Sequence, residues 1–565
     1  MAVSTSITSE DIIPLTLFAG LSAFWTWLSW SQGPEALLGD AQNVLLMVLK
    51  QTRPELFLRD GVFYESEKFL FYTPLYRHYL ALCYQFTGDL TSGLKFLVFP
   101  LNFVFMVGAY GFFNYLCNNR LIAATLAIFA SLPLIVQSGG GTAGIGPIRF
   151  IAPRTIFYVF LPFLFLWFMK HQHSRSRLLL LFAVIGLLAN LHPPSGFVLV
   201  QVLALAFLFV HRFSWWSIKT AILAGLVSIP GALPIIFNYL GKTSPVDFSG
   251  LSYATVKEIL LKSFPQIFYP LPNLKSLPAI VTHLLTMLLL ALSFGALWSW
   301  KRLTPRLVWL TAVGCLGYSL YFDREMNFYL IFLGFCGFWG IFPKKPTHEI
   351  ALVSTLIFTT FWVGMGGLLL TELTRYLLKY PLDLEYNYVM RFFPLLLFAL
   401  LGETMVSLKK LSPGWHPLKL TGLALLVLTL FMNLRWNYRT LVRARPPESQ
   451  VAMVELANWA RKHTDPEALF LFDSLTFRLL AQRSITGCYK DRGINFYAGH
   501  GFLTLLQHLQ QLSAAQNQPT QLYRLARQHG ADFVVVKNSS KNFSEVGKIV
   551  YNNEHYQVLK VNPCQ

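Results

Sequence analysis

The sequence predicts a polytopic α-helical membrane protein of about 13 transmembrane helices carrying a C-terminal soluble α/β domain. Three observations predict it. Mean hydropathy is +0.48, and only 13% of the 565 residues are charged, about half the share of an ordinary soluble domain. Apolar runs long enough to cross about 30 Å of hydrocarbon recur as far as residue 434. Beyond them, short amphipathic helices alternate with short apolar strands.

The spans fall near 12–31, 96–116, 121–137, 154–169, 178–191, 196–210, 220–239, 278–299, 307–321, 327–342, 350–371, 392–407 and 418–434. The first is read as a span and not a signal peptide: Glu10 and Asp11 stand where a basic segment would be, and no small-residue cleavage site follows. Alternate breaks hold the cations: Arg120; Lys170, Arg175 and Arg177; Arg212 and Lys219; Lys301, Arg302 and Arg306; Lys344 and Lys345; Lys409, Lys410 and Lys419. The opposite set is longer and carries most carboxylates, among them Glu35, Asp40, Glu55, Asp60, Asp89, Asp247, Asp323 and Asp383. This alternation places the N-terminus in the cytoplasm and the C-terminal domain outside it. The formal charge of +19 is therefore read as topology, and no nucleic-acid partner is expected.

Segment 32–95 is too long and polar for a connector, yet contains the apolar stretches 44–49 and 69–86. Helices lying in the outer interface are expected there, with Phe69, Phe71, Tyr72, Tyr76 and Tyr79 at headgroup depth; a pair of half-spans or a buried helix is the alternative. Arg435, Arg439, Arg443, Arg445, Pro446 and Pro447 mark the boundary between a transmembrane part, 1–434, and the domain at 435–565. That arginine cluster runs against the positive-inside trend and suits lipid phosphates. Within the domain, helices are expected at 449–463, 475–482, 499–514 and 519–529, and strands at 468–472, 484–486, 532–537, 547–551 and 555–560, giving a small, partly parallel sheet. The six cysteines show no metal-ligand spacing; a Cys488–Cys564 bridge is open in an oxidising compartment.

Polar residues at span ends are the candidates for chemistry. Asp40 follows the first span, where a carboxylate can act as general base or hold a divalent cation against a phosphate; capping the next helix is the plainer role. Arg149 and Arg154, after the glycine run 139–146, and Arg391 suit a lipid phosphate or pyrophosphate, or simply snorkel. The glycine run is no phosphate loop, since no Lys-Ser or Lys-Thr follows. His192, before Pro193 and Pro194, is either a catalytic imidazole or an ordinary turn histidine. Asp323, Arg324 and Glu325 form either a local ion pair or part of a polar lining.

An odd number of spans, a long first outer loop with an Asp just past the first span, and a C-terminal domain outside resemble the GT-C superfamily of membrane glycosyltransferases. The stretch Trp459-Ala460-Arg461-Lys462-His463-Thr464-Asp465-Pro466-Glu467-Ala468-Leu469-Phe470-Leu471, followed by Phe477-Arg478-Leu479-Leu480-Ala481-Gln482-Arg483-Ser484, is also similar to the soluble tails of uncharacterised bacterial, particularly cyanobacterial, membrane proteins of that type. The resemblance implies transfer of a sugar from a polyprenyl-phosphate carrier in the membrane to an acceptor at the outer face, with Asp40 as the first-loop catalytic acid. Many members carry a second acidic motif in the next outer loop, whereas 138–153 holds no Asp or Glu; either Glu65, Glu67 or Asp247 substitutes, or the chain has lost or never had that chemistry. The competing reading is a noncatalytic scaffold or assembly factor that binds a protein partner through the C-terminal domain. A coupled transporter is disfavoured because the expected span interiors are nearly free of charge.

Overall fold

The structure, a computed structural model, describes residues 9–37, 39–64, 73–137, 141–242, 348–378, 386–392, 448–498, 501–516, 518–538 and 547–561, with parts of 246–259 and 394–406. Among the described residues, four helices are long and apolar enough to cross a membrane: Ser9–Trp30, Ser92–Cys117, Pro193–Val210 and Trp215–Leu240. The chain is an integral membrane protein. The spans expected at 278–299, 307–321, 327–342 and 418–434 lie outside the described residues.

Local chemistry sets the helix boundaries. Helix α1 (Ile12–Trp30) is followed by α2 (Gly39–Thr52) and α3 (Pro74–Thr87), so the first loop is helical at 44–49 and over most of 69–86. Helix α4 (Ser92–Cys117) ends on Asn118 in the left-handed region, and Asn119 starts α5 (Arg120–Ser131) by accepting from the Ile122 N–H at 3.1 Å. The sequence predicts a span over 121–137, but α5 stops at Ser131 because Pro133 forces Leu132 into extended backbone. A hairpin follows, with β1 (Leu134–Gln137) antiparallel to β2 (Gly141–Ala143). Gly144 closes it at φ +83°, where a Cβ would fall 2.1 Å from the Leu132 carbonyl oxygen. Asn102 of α4 donates to the Gly146 carbonyl and accepts from its N–H, and Ser29 of α1 accepts from Ile148. The loop leading to α6 (Pro153–His171) is thus tied to two helices. Helices α7 (Arg175–Leu188), α8 (Pro193–Val210), α9 (Trp215–Lys242) and α10 (His348–Leu378) follow.

From Glu448 onward the described elements are α11 (Glu448–His463), β3 (Leu469–Leu471), α12 (Leu475–Ala481), β4 (Ser484–Ile485), α13 (Asp491–Ala498), α14 (Phe502–Ala515), α15 (Pro519–Gln528), β5 (Phe533–Lys537), β6 (Lys548–Asn552) and β7 (Tyr556–Lys560). The strands form one sheet in the order β4-β3-β5-β7-β6, parallel on the β4 side and antiparallel around β7. The helix expected at 499–514 is α14, which begins at Phe502 because Gly501 takes φ +68° ahead of it, and α13 is an additional helix that the sequence pattern does not predict. Cys488 is a buried free thiol, and Cys564, the other half of the bridge left open by the sequence, lies outside the described residues.

The first loop is docked on this sheet. Gln42 of α2 donates to Thr476 of α12, Gly61 N–H donates to the Ile485 carbonyl, and Ile485 N–H donates to Asp60. The loop backbone thus lines edge strand β4. Arg478, with its side chain wholly buried, pairs bidentately with Asp491 at 2.7 and 2.8 Å and lies 2.9 Å from Asp60 through Nε. Burial opposes a charge on Arg478, but the two carboxylates more than offset that and hold its pKa above the ordinary value. Burial and then Asp491 push the Asp60 pKa up against the pull of Arg478.

A histidine pair lies on the same sheet unit. His508, buried in α14, has Nδ1 2.9 Å from His529 and Nε2 2.9 Å from the Thr486 hydroxyl. Burial, and then His529, push its pKa down to about 4 from 6.5. A histidine whose folded pKa is depressed costs stability when protonated, so its contribution is present above about 6.5 and is lost as pH falls toward about 4. The unit's melting temperature is expected to drop through that window, and His508→Gln to flatten the drop; an unchanged profile in that variant would assign the sensitivity elsewhere.

Candidate functional site

Four elements from distant parts of the sequence bring their polar ends together. Asp40 lies in the first turn of α2, where a carboxylate is favoured by the helix dipole. Its Oδ2 accepts from Arg154 Nη1 at 2.6 Å. Arg154 follows Pro153 at the first turn of α6, so the chain reaches the site already committed to helix. Arg391, 7% exposed, comes from the 3-10 helix Tyr386–Phe392. That element is seated by Tyr386, whose hydroxyl donates to Gln201 at 3.0 Å and whose ring fills the space beside Gly367, where a Cβ would come within 2.1 Å of it. His192 is the N-cap of α8, and its Nδ1 accepts from the Ser195 N–H and lies 2.8 Å from the Ser195 hydroxyl.

Charge ties these groups into one site. Burial raises the Asp40 pKa, but Arg154, Lys490 and Arg391 outweigh it and hold the carboxyl below its usual range. Burial, with Arg391 and then Arg154 alongside, pushes the His192 imidazole well below its ordinary value, against a smaller opposing pull from Asp40. His192 is therefore neutral near pH 7, and with Nδ1 accepting, its proton sits on Nε2.

Of the residues singled out from the sequence, Asp40, Arg154, Arg391 and His192 interact here. Asp40 is inside the helix, with its side chain turned to Arg154 and not spent on a cap. Arg149 is half-buried with its guanidinium 5.1 Å over the Phe150 ring. Asp247 is exposed. Glu65, Glu67, Asp323, Arg324 and Glu325 lie outside the described residues. Lys490, in the turn before α13, escaped sequence reasoning: a Cβ added at Gly39 would lie 2.8 Å from its ammonium nitrogen. A lone lysine in a tail turn carries no pattern to mark it.

Among the described residues the donor set does not fit a divalent cation: Asp40 is engaged by Arg154 and has further cations beside it that oppose a metal ion, and no group of three His, Cys, Asp or Glu suited to one occurs there. The arrangement instead fits an anion beside a general base.

The chain is similar to known solved structures. The crystal structure of ArnT from Cupriavidus metallidurans bound to undecaprenyl phosphate matches over 99% of both chains, at 11% identity and a TM-score of 0.40. No family model and no curated protein sequence matches. A likeness of that degree leaves the chemistry to the site's own side chains.

Proposed function

We propose that the chain is an inverting membrane glycosyltransferase that moves a sugar from a polyprenyl-phosphate donor to an acceptor at the outer face of the membrane. In this reading residues 1–434 form a GT-C-like transmembrane part, and 435–565 an extracytoplasmic α/β domain. The observation that carries it is the juxtaposition of a first-loop carboxylate with Arg154 and Arg391 at the ends of apolar segments. The acceptor hydroxyl attacks the anomeric carbon and gives its proton to Asp40. The carbon–oxygen bond to phosphate breaks, and the phosphate leaves with the electron pair, stabilised by the arginines. Asp40 is a weak base while Arg154 holds it; a phosphate that draws the guanidinium toward itself frees the carboxylate as substrate binds. His192, neutral with its proton on Nε2, can donate a hydrogen bond to the same phosphate or the sugar.

The scaffold reading keeps one observation of its own: 138–153 carries no second acid. A turnover assay separates the two. The purified chain in lipid nanodiscs is offered a panel of polyprenyl-phosphate sugars, and free polyprenyl phosphate is followed. Release from one donor, lost in Arg154→Gln, supports the enzyme; no release from any donor supports the scaffold. Topology is tested separately, with a reporter fused after Gln565 expected to be exported; cytoplasmic reporter activity would overturn the orientation.

A further inference from the structure

We propose that the C-terminal sheet unit completes the anion site, with Lys490 binding the phosphate of the lipid substrate beside Arg154 and Arg391. The proposal rests on the phosphate-binding reading of that site and adds a residue and a positioning device to it.

Lys490 stands one residue before Asp491, the bidentate partner of buried Arg478. Arg478 in turn meets Asp60 of the first loop, the same loop whose helix begins at Gly39 and Asp40. The turn bearing Lys490 is pinned on both sides: Tyr489 N–H donates to Asp473 at 2.9 Å, and Cys488 N–H donates to Asp491 at 2.7 Å. One rigid linkage therefore sets the first loop against the sheet unit and delivers an exposed ammonium to the edge of the site. Gly39 leaves room for it, since a Cβ there would fall 2.8 Å from both Cε and Nζ of Lys490. Arg154, Lys490 and Arg391 all act on Asp40, so a phosphate beside that carboxylate meets cations from three elements, Lys490 among them. A compact ammonium on a flexible stem suits a phosphate that arrives bonded to a sugar and departs without it.

The test measures binding of undecaprenyl phosphate, and of the uncharged polyprenol as control, to the full-length protein in detergent at low salt. Lys490→Gln is expected to weaken undecaprenyl phosphate binding about tenfold, as loss of one charge-assisted contact would. It should leave polyprenol binding and the melting temperature unchanged, and Lys490→Arg should retain affinity. Gly39→Ala, which displaces the ammonium, should weaken binding in the parent but add nothing in Lys490→Gln. Undecaprenyl phosphate affinity unchanged in Lys490→Gln but reduced in Arg154→Gln would overturn the role of Lys490 alone. Unchanged affinity in both variants would overturn the phosphate-binding reading beneath it. Equal weakening toward undecaprenyl phosphate and polyprenol would also overturn the proposal, because charge would not be what Lys490 reads.

Discussion

Asp40→Asn is expected to lower transfer from a polyprenyl-phosphate sugar by about a hundredfold to ten-thousandfold, the range that removal of a general base produces. The amide keeps the shape of the side chain and can still accept from Arg154, but it cannot take the acceptor's proton. Folding should be little affected: the pair is partly exposed, at 22% and 34%, and the amide still accepts from Arg154, so the guanidinium keeps a partner. Because neighbouring cations hold the Asp40 pKa down, its carboxylate is already ionised below the usual carboxylate range. Any loss of turnover between pH 5 and 7 should therefore persist when only Asp40 is altered conservatively to Glu. Single-turnover assays across pH with matched melting curves make the comparison. Full transfer by Asp40→Asn would remove Asp40 from the mechanism.

The second large effect is structural. Arg478→Met should cost about 3–5 kcal/mol, the usual penalty for breaking a buried ion pair from one side. Two carboxylates, Asp60 and Asp491, would remain without their shared cation in a site closed to water. The sign of the pH dependence follows from Asp60, whose folded pKa is already raised by burial and Asp491 and is pulled down by Arg478. Removing the guanidinium lifts it further. The variant then binds protons more readily folded than unfolded, so its deficit should shrink as pH falls. Hydrogen exchange across β4 and α12 would report it. Protection equal to the parent's at neutral pH would show that the clamp does not hold the loop to the sheet.

Several parts of this molecule were legible in its sequence for a plain reason. Helices α1, α4, α8 and α9 announce themselves because hydrocarbon demands long apolar runs. Asp40, Arg154, Arg391 and His192 could be picked out because polar groups at the ends of such runs are few and costly. Helix α5 was overrun because hydropathy does not register the turn that Pro133 imposes. The Asp60 clamp was beyond reach: Asp60 and its backbone donor Ile485 lie 425 residues apart, and nothing local to either residue names the other. Arg478 looks, in sequence, like any basic residue on an amphipathic helix, although its side chain is 0% exposed. Lys490 belongs to the same class, since a residue brought in by docking is visible only once the docking is known.

The docking of the first loop along β4 also bears on solubility. A strand at a sheet margin offers unpaired amides and carbonyls that recruit strands from other molecules. Here Gly61 and Asp60 occupy the groups that Ile485 would otherwise present. Excised from the rest of the chain, the residues from Glu448 onward would bare that margin and leave Arg478 with Asp491 but without Asp60. Such a fragment is expected to associate edge to edge more readily than the whole chain, in which the first loop covers that margin.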